Sequence, residues 1–226
     1  MARKGFQRQL VELRENVLYM SEIVLERMRT GLNALETKDE SLANEVIEGD
    51  HEINELYLEL EQNCIDLFAL QQPVAGDLRF IAASFKIITD LERVADLATN
   101  LGDYTLEATR DMYPNVDIQG IGNAVIEMVE SAMTAYAEED VDACFEIDGR
   151  DDEVDDLCER ASSIVVRDLI ETEIDDGSSD EEIETLMTEV SRLLLTIRDL
   201  ERVGDHAVNI AARTLYMVDN SDELIY

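Results

Sequence analysis

The sequence predicts an all-α protein of six long helices, arranged as two tandem three-helix bundles. Three observations carry this. Apolar residues recur at spacings of three and four along nearly all of the 226 residues, the period of an amphipathic helix. Only two prolines and ten glycines interrupt that period, and no convincing stretch alternates apolar with polar residues as a half-buried strand would. DLERVADLATN (90–100) returns 109 residues later as DLERVGDHAVN (199–209), identical at eight of eleven positions. GDHEINEL (49–56) also overlays GRDDEVDDL (149–157) with one inserted residue, aligning Asp50 with Asp151, Ile53 with Val154 and Asn54 with Asp155. One three-helix hairpin is therefore written twice, with repeats over residues 1–112 and 113–226.

Leu13, Val17, Met20, Val24 and Met28 form the apolar stripe of the first helix. Thr37 with Glu40 fits a capping box that opens the second, whose stripe is Val46, Ile53, Leu56, Leu60 and Leu67. Gln71-Gln72-Pro73 ends it, because proline lacks the amide proton a helix interior needs but is tolerated at a helix start. The third helix is expected from about Val74 to Thr109, followed by a loop around Pro114. The fourth begins near Gly120 and Gly122 and reaches about Ala137; the fifth covers about Asp140 to Thr172. DDGSS breaks the chain, Ser179 with Glu182 forms a second capping box, and the sixth helix runs to about Val218. At 1.5 Å per residue, helices of about 30 residues are about 45 Å long, and short connections make sequence neighbours antiparallel.

Fifty-three acidic against eighteen basic residues give a formal charge of −35, and only Lys4, Lys38 and Lys86 are lysines. Such a surface repels nucleic-acid phosphates and anionic lipid headgroups, so no nucleic-acid partner is expected. It also repels itself unless salt shortens the Debye length, to roughly 3 Å at about 1 M, which suits a halophile's salt-rich cytoplasm. No run approaches the roughly 18 apolar residues of a membrane span, and MARKGF leads straight into a polar amphipathic stretch. A cytoplasmic protein that spans no membrane is expected. Cys64, Cys144 and Cys158 lack metal-type spacing and read as reduced packing residues. GIGNAV lacks the third glycine and preceding strand of a dinucleotide fingerprint, and no phosphate loop or nucleophile elbow occurs, so a binding or regulatory protein is expected rather than an enzyme. Long amphipathic helices in a flat layout leave apolar strips at the edges, which favours a homodimer.

The duplicated signature concentrates acids. Glu92 and Asp96 are four residues apart on one helix face, as are Glu201 and Asp205. Like charges at that spacing cost about 0.2–0.5 kcal/mol, a sign that a bound cation would reverse. Asp50 with Asn54, and Asp151 with Asp155, are the matching oxygen pairs on the second and fifth helices. Hard oxygen donors on two neighbouring helices suit manganese, magnesium or iron; zinc enters because His206 is near. A single acidic pair means little in so acidic a chain, where a solvated or salt-bridged face is the alternative; repetition at matching positions is the signal. Arg93 and Arg202 read as ion-pair partners within the repeat, Asn100 and Asn209 continue the acidic faces by one turn, and His51 and His206 read as surface residues or as outer supports of the acid pairs.

QQPVAGDLR (71–79), the paired DLERV-[AG]-D segments and the D-x-x-I-N and D-x-x-V-D steps together resemble the PhoU family of phosphate-uptake regulators over about residues 6 to 218. The resemblance implies two three-helix bundles side by side. It implies a cytoplasmic negative regulator of a phosphate ABC transporter and of phosphate-starvation signalling, with a sensor histidine kinase as a further partner. It also implies multinuclear iron or zinc sites on Glu92, Asp96, Glu201 and Asp205, completed by Asp50, Asn54, Asp151 and Asp155. Asn54 breaks the strictly acidic pattern, so the first site is expected to hold metal less tightly than the second. A protein reaching a membrane transporter from the cytosol docks most simply on its ATPase subunit; the corner carrying Asp77 and Arg79 is the expected contact, against the alternative of a plain tight turn. The competing functional classes are a metal-storage or metal-dependent enzyme on the same bundle, and a metal-free helical adaptor.

Overall fold

The computed structural model describes residues 2–70, 73–108, 116–171 and 179–225. Six helices follow in order: α1 (Ala2–Thr37), α2 (Glu40–Leu70), α3 (Ala75–Leu106), α4 (Ile118–Glu138), α5 (Val141–Glu171) and α6 (Asp180–Asp219). There is no strand among the described residues. The predicted stripes are the buried faces: Leu13, Val17, Met20, Val24 and Met28 of α1, and Val46, Ile53, Leu60 and Leu67 of α2, are all in the core. Leu56 packs against that core from its margin. The expected boundary between residues 112 and 113 lies outside the described residues, as does Pro114.

The helix ends correct one expectation. Thr37 does not cap α2. Its hydroxyl donates back to the Asn33 carbonyl inside α1 at 2.7 Å, and Lys38 takes a left-handed φ of 54° that stops α1. Asp39 caps α2 instead, its Oδ1 accepting from the amides of Ser41 at 2.8 Å and Leu42 at 3.2 Å. A carboxylate is a stronger acceptor for these orphan amides than a hydroxyl, and Asp39 stands immediately before the first helical residue. α4, at 21 residues, covers its expected span and is the shortest of the six. It opens on Asp117, whose side chain accepts the Gly120 amide at 2.8 Å, and closes on Glu139 at φ 60°. The second capping box forms as expected: the Ser179 hydroxyl accepts from the Glu182 amide and Glu182 accepts from the Ser179 amide at 2.9 Å.

Each repeat closes on itself, α1 with α2 and α3, and α4 with α5 and α6; the repeats join through α1 against α4 and α3 against α6. Both junctions are antiparallel. Along α1 and α4, Arg14 donates to the Ala137 carbonyl at 3.2 Å, while further up α1 the Leu32 carbonyl accepts from Gln119 at 3.0 Å. Gly122 of GIGNAV belongs to this seam: a Cβ there would lie 2.5 Å from Leu32 Cδ1, so the glycine serves helix packing. Along α3 and α6, Asp90 meets His206 at 2.9 Å, and Asp199 accepts from Asn100 at 2.9 Å and from the Tyr104 hydroxyl at 2.8 Å. An approximate two-fold axis therefore crosses the helices through both junctions. One continuous apolar core runs through both repeats.

Candidate functional site

The short connection between α2 and α3 pairs residues at roughly equal distance from the corner, which sets Asp50 opposite Asp96 and Asn54 opposite Glu92. The electrostatics agree. Burial, then Asp96 and Asp50, push the Glu92 carboxyl up, against the pull of Arg93 and His206. Burial and then Asp50 push Asp96 up, against Arg202 and Arg93. Asn54 is turned with its amide nitrogen toward Asp50, donating to Oδ2 at 2.6 Å. The first set thus replaces one carboxylate with a neutral donor that satisfies another.

The second set has four carboxylates and no such relief. Burial, then Asp155 and Asp205, lift Asp151 to about 6. Its Oδ1 is buried without a hydrogen-bond partner and lies against Gly204, where a Cβ would approach it to 3.1 Å. Burial and then Asp205 raise Asp155; burial, Asp155 and Asp205 raise Glu201. The Cys158 thiol beside them is pushed up to about 12 by burial and by these carboxylates, and Cys64 likewise by burial and Glu61, so neither offers a thiolate. All eight predicted residues therefore fall into two sets, one per repeat. The donor chemistry and the orphaned Asp151 oxygen suit a hard cation. In the side-chain positions of this structure, however, no three His, Cys, Asp or Glu groups among the described residues converge enough to hold one.

Several side chains lie elsewhere than expected. His206 is not a surface residue: it is buried between α3 and α6 against Asp90, near enough to Glu92 to pull on its carboxyl. Asn100 likewise serves that junction by donating to Asp199, whereas Asn209 is exposed. Asp90 and Asp199, the first residue of each signature, are thus the polar pins of the repeat junction, a role that sequence reasoning missed; their identity at matching positions was the available signal. Arg202 reaches Asp199 Oδ1 at 3.5 Å, in keeping with ion pairing. At the α2–α3 corner Asp77 and Arg79 are half-buried rather than exposed. Asp77 accepts from Gln7 Nε2 at 3.5 Å, and Arg79 has a buried Nε with no hydrogen-bond partner. Val74 and Leu78 are the large apolar residues exposed there. Gln71 and Gln72 lie outside the described residues.

A family model described as the PhoU domain matches twice, over residues 17–105 and 118–214. The phosphate-specific transport system accessory protein PhoU homolog of Clostridium acetobutylicum is 32% identical over 221 residues, covering 96% of each chain. The phosphate-specific transport system accessory protein PhoU of Escherichia coli is 29% identical over 219 residues, covering 96% of this chain and 86% of its own. The crystal structure of PhoU from Pseudomonas aeruginosa superposes with a TM-score of 0.86 at 30% identity, covering 96% of this chain and 100% of that one.

Proposed function

Because the chain belongs to the PhoU domain family, we propose that it is an accessory protein of a phosphate-specific transport system, acting in the cytoplasm as a negative regulator of phosphate uptake and of phosphate-starvation signalling. The observation that carries this reading is the match of both repeats, at near-full length, to proteins named for that system. Those relatives are named as accessory proteins, and this chain is a regulator rather than an enzyme. Among the described residues no helix is long and apolar enough to cross a membrane, so contact with the transporter would be made from the aqueous side. Its ATPase subunit is the simplest docking point, with the Asp77–Arg79 corner in the contact; a sensor histidine kinase is the second partner.

The two acid sets are the metal-binding part of this proposal. Asp151, Asp155, Glu201 and Asp205 would hold one ion or cluster; Asp50, Glu92 and Asp96, with Asn54 beside them, would hold another more weakly. With oxygen donors alone, and with His206 engaged by Asp90, iron, manganese or magnesium fits better than zinc. Bound metal would relieve the carboxylate repulsion and tie α2 to α3 and α5 to α6. A second reading, a metal-free helical adaptor, is favoured by one observation, the carboxylates that do not converge.

Deleting the gene and following uptake of labelled phosphate in replete cells tests the regulatory reading. Negative regulation predicts uptake that stays high when phosphate is plentiful; uptake indistinguishable from the parent strain contradicts it.

A further inference from the structure

Each repeat carries an uncovered apolar strip on the same side of its outer helix as its acid set. On α2, one turn beyond Asn54, Leu58 is 60% exposed; Ile65 follows at 45%, with Phe68 also exposed. These lie on the α3 side of α2, because Asn54, Leu58 and Ile65 share one helix face. Leu78, in the first turn of α3 on the far side of the α2–α3 corner, is exposed as well. On α5, a shallow depression lined by Glu159, Ser162, Val166, Arg167, Ile170 and Glu171 continues from Asp155, with Val166 at 45% exposure and Ile170 at 77%.

The two strips are one feature written twice. Val166 stands 101 residues after Ile65, the offset that relates Asp50 to Asp151, and exposed Met187 of α6 stands 109 residues after Leu78, the offset that relates Glu92 to Glu201. Repetition of exposed apolar residues at matched positions is not what a merely solvated face requires. The two-fold axis through the α3–α6 junction turns both strips toward the same side of the molecule.

We propose that these strips are paired docking grooves for basic amphipathic helices, presented by a partner that is itself two-fold symmetric. The apolar spacing of seven between Leu58 and Ile65, and of four between Val166 and Ile170, matches the face of a packed helix. Each strip runs into carboxylates that repel one another, so a cationic end on the docked helix is attracted where the apolar face runs out. A second copy of this chain fits less well: with a charge of −35 it would set acids against acids, and Glu159 replaces Leu58 in the second strip. The apolar contact is independent of metal, whereas the attraction for a cationic end belongs to the metal-free acid sets, which is why the test is run in chelator.

The test uses the full chain in chelator, at the lowest KCl concentration at which circular dichroism shows it folded. The probes are a synthetic helix with leucines on one face and lysines at its flank and end, and a scrambled peptide of identical composition. Calorimetry is expected to give two amphipathic peptides per chain and, because apolar burial is lost, binding at least about tenfold weaker for the scrambled one. Ile65→Glu and Val166→Glu should each reduce the stoichiometry to one, and together abolish binding, with unchanged helicity because both sites are exposed; Ile65→Val should keep two. Equal binding of the scrambled peptide, absence of binding by either, or two peptides retained by the double variant would overturn the proposal. So would light scattering that shows a dimer of the parent chain dissolved by the same double variant, since the strips would then belong to a second copy.

Discussion

Replacing Asp151 by Asn should make the metal-free protein more stable at neutral pH. Burial, Asp155 and Asp205 raise this carboxyl from 3.8 to about 6. A gap of that size corresponds to about 3 kcal/mol against the ionised form, at 1.36 kcal/mol per unit. The side chain is partly solvated, and solvent screening brings the figure to about 1–2 kcal/mol. The sign follows from proton counting. Between the unfolded and folded pKa the native state binds more protons, so the parent is favoured below about pH 4 and loses this contribution as pH rises through about 6. Asn keeps the shape and removes the charge, so its advantage should be complete at pH 7 and largely absent at pH 4. Thermal unfolding in chelator and molar KCl, at both pH values, reads this as a rise of roughly 2–4 °C per kcal/mol at pH 7 alone. A variant neutral or destabilised at pH 7 would refute the view that the second acid set is strained without a cation.

Glu201→Ala with Asp205→Ala should lower the metal that co-purifies in high salt without chelator, measured by elemental analysis, while helical content stays unchanged; unchanged metal would remove these residues from the ligand set. Helical signal and melting temperature should climb steeply from low to molar KCl, because the charge of −35 is then screened, and equal stability in both would sink the link to a salt-rich cytoplasm. His206→Ala and Asp90→Ala should each cost about 1–3 kcal/mol in denaturant unfolding, since each leaves a buried partner unsatisfied. The double variant should cost less than their sum, and strict additivity would mean that the pair does not couple.

Much of the helical layout was legible because amphipathic stripes and caps are local. Ser179 and Glu182 announce α6 three residues apart, and Leu13 through Met28 need only their spacing to mark a buried face. Thr37 misled because Asp39, two residues on, is the stronger acceptor for the same amides. The acid sets were legible through duplication, which pairs Asp50 with Asp96 and Asp151 with Asp205 once the hairpins fold back. Contacts made by tertiary crossing were not. Asp90 and His206 are 116 residues apart and meet only because α3 and α6 cross antiparallel. Exposure at the α2–α3 corner depends on rotation of the first turn of α3, so Asp77 and Arg79 turn partly inward while Val74 and Leu78 face out.

The most direct test of the account is association with the transporter. The tagged chain, purified at native salt from cells with the phosphate-specific system expressed, would be probed for that transporter's ATPase subunit. The ATPase is expected to co-purify, and Asp77→Ala with Arg79→Ala to reduce the yield while helicity and metal content hold. Recovery of neither the ATPase nor any phosphate-responsive signalling protein with the unaltered chain would contradict it.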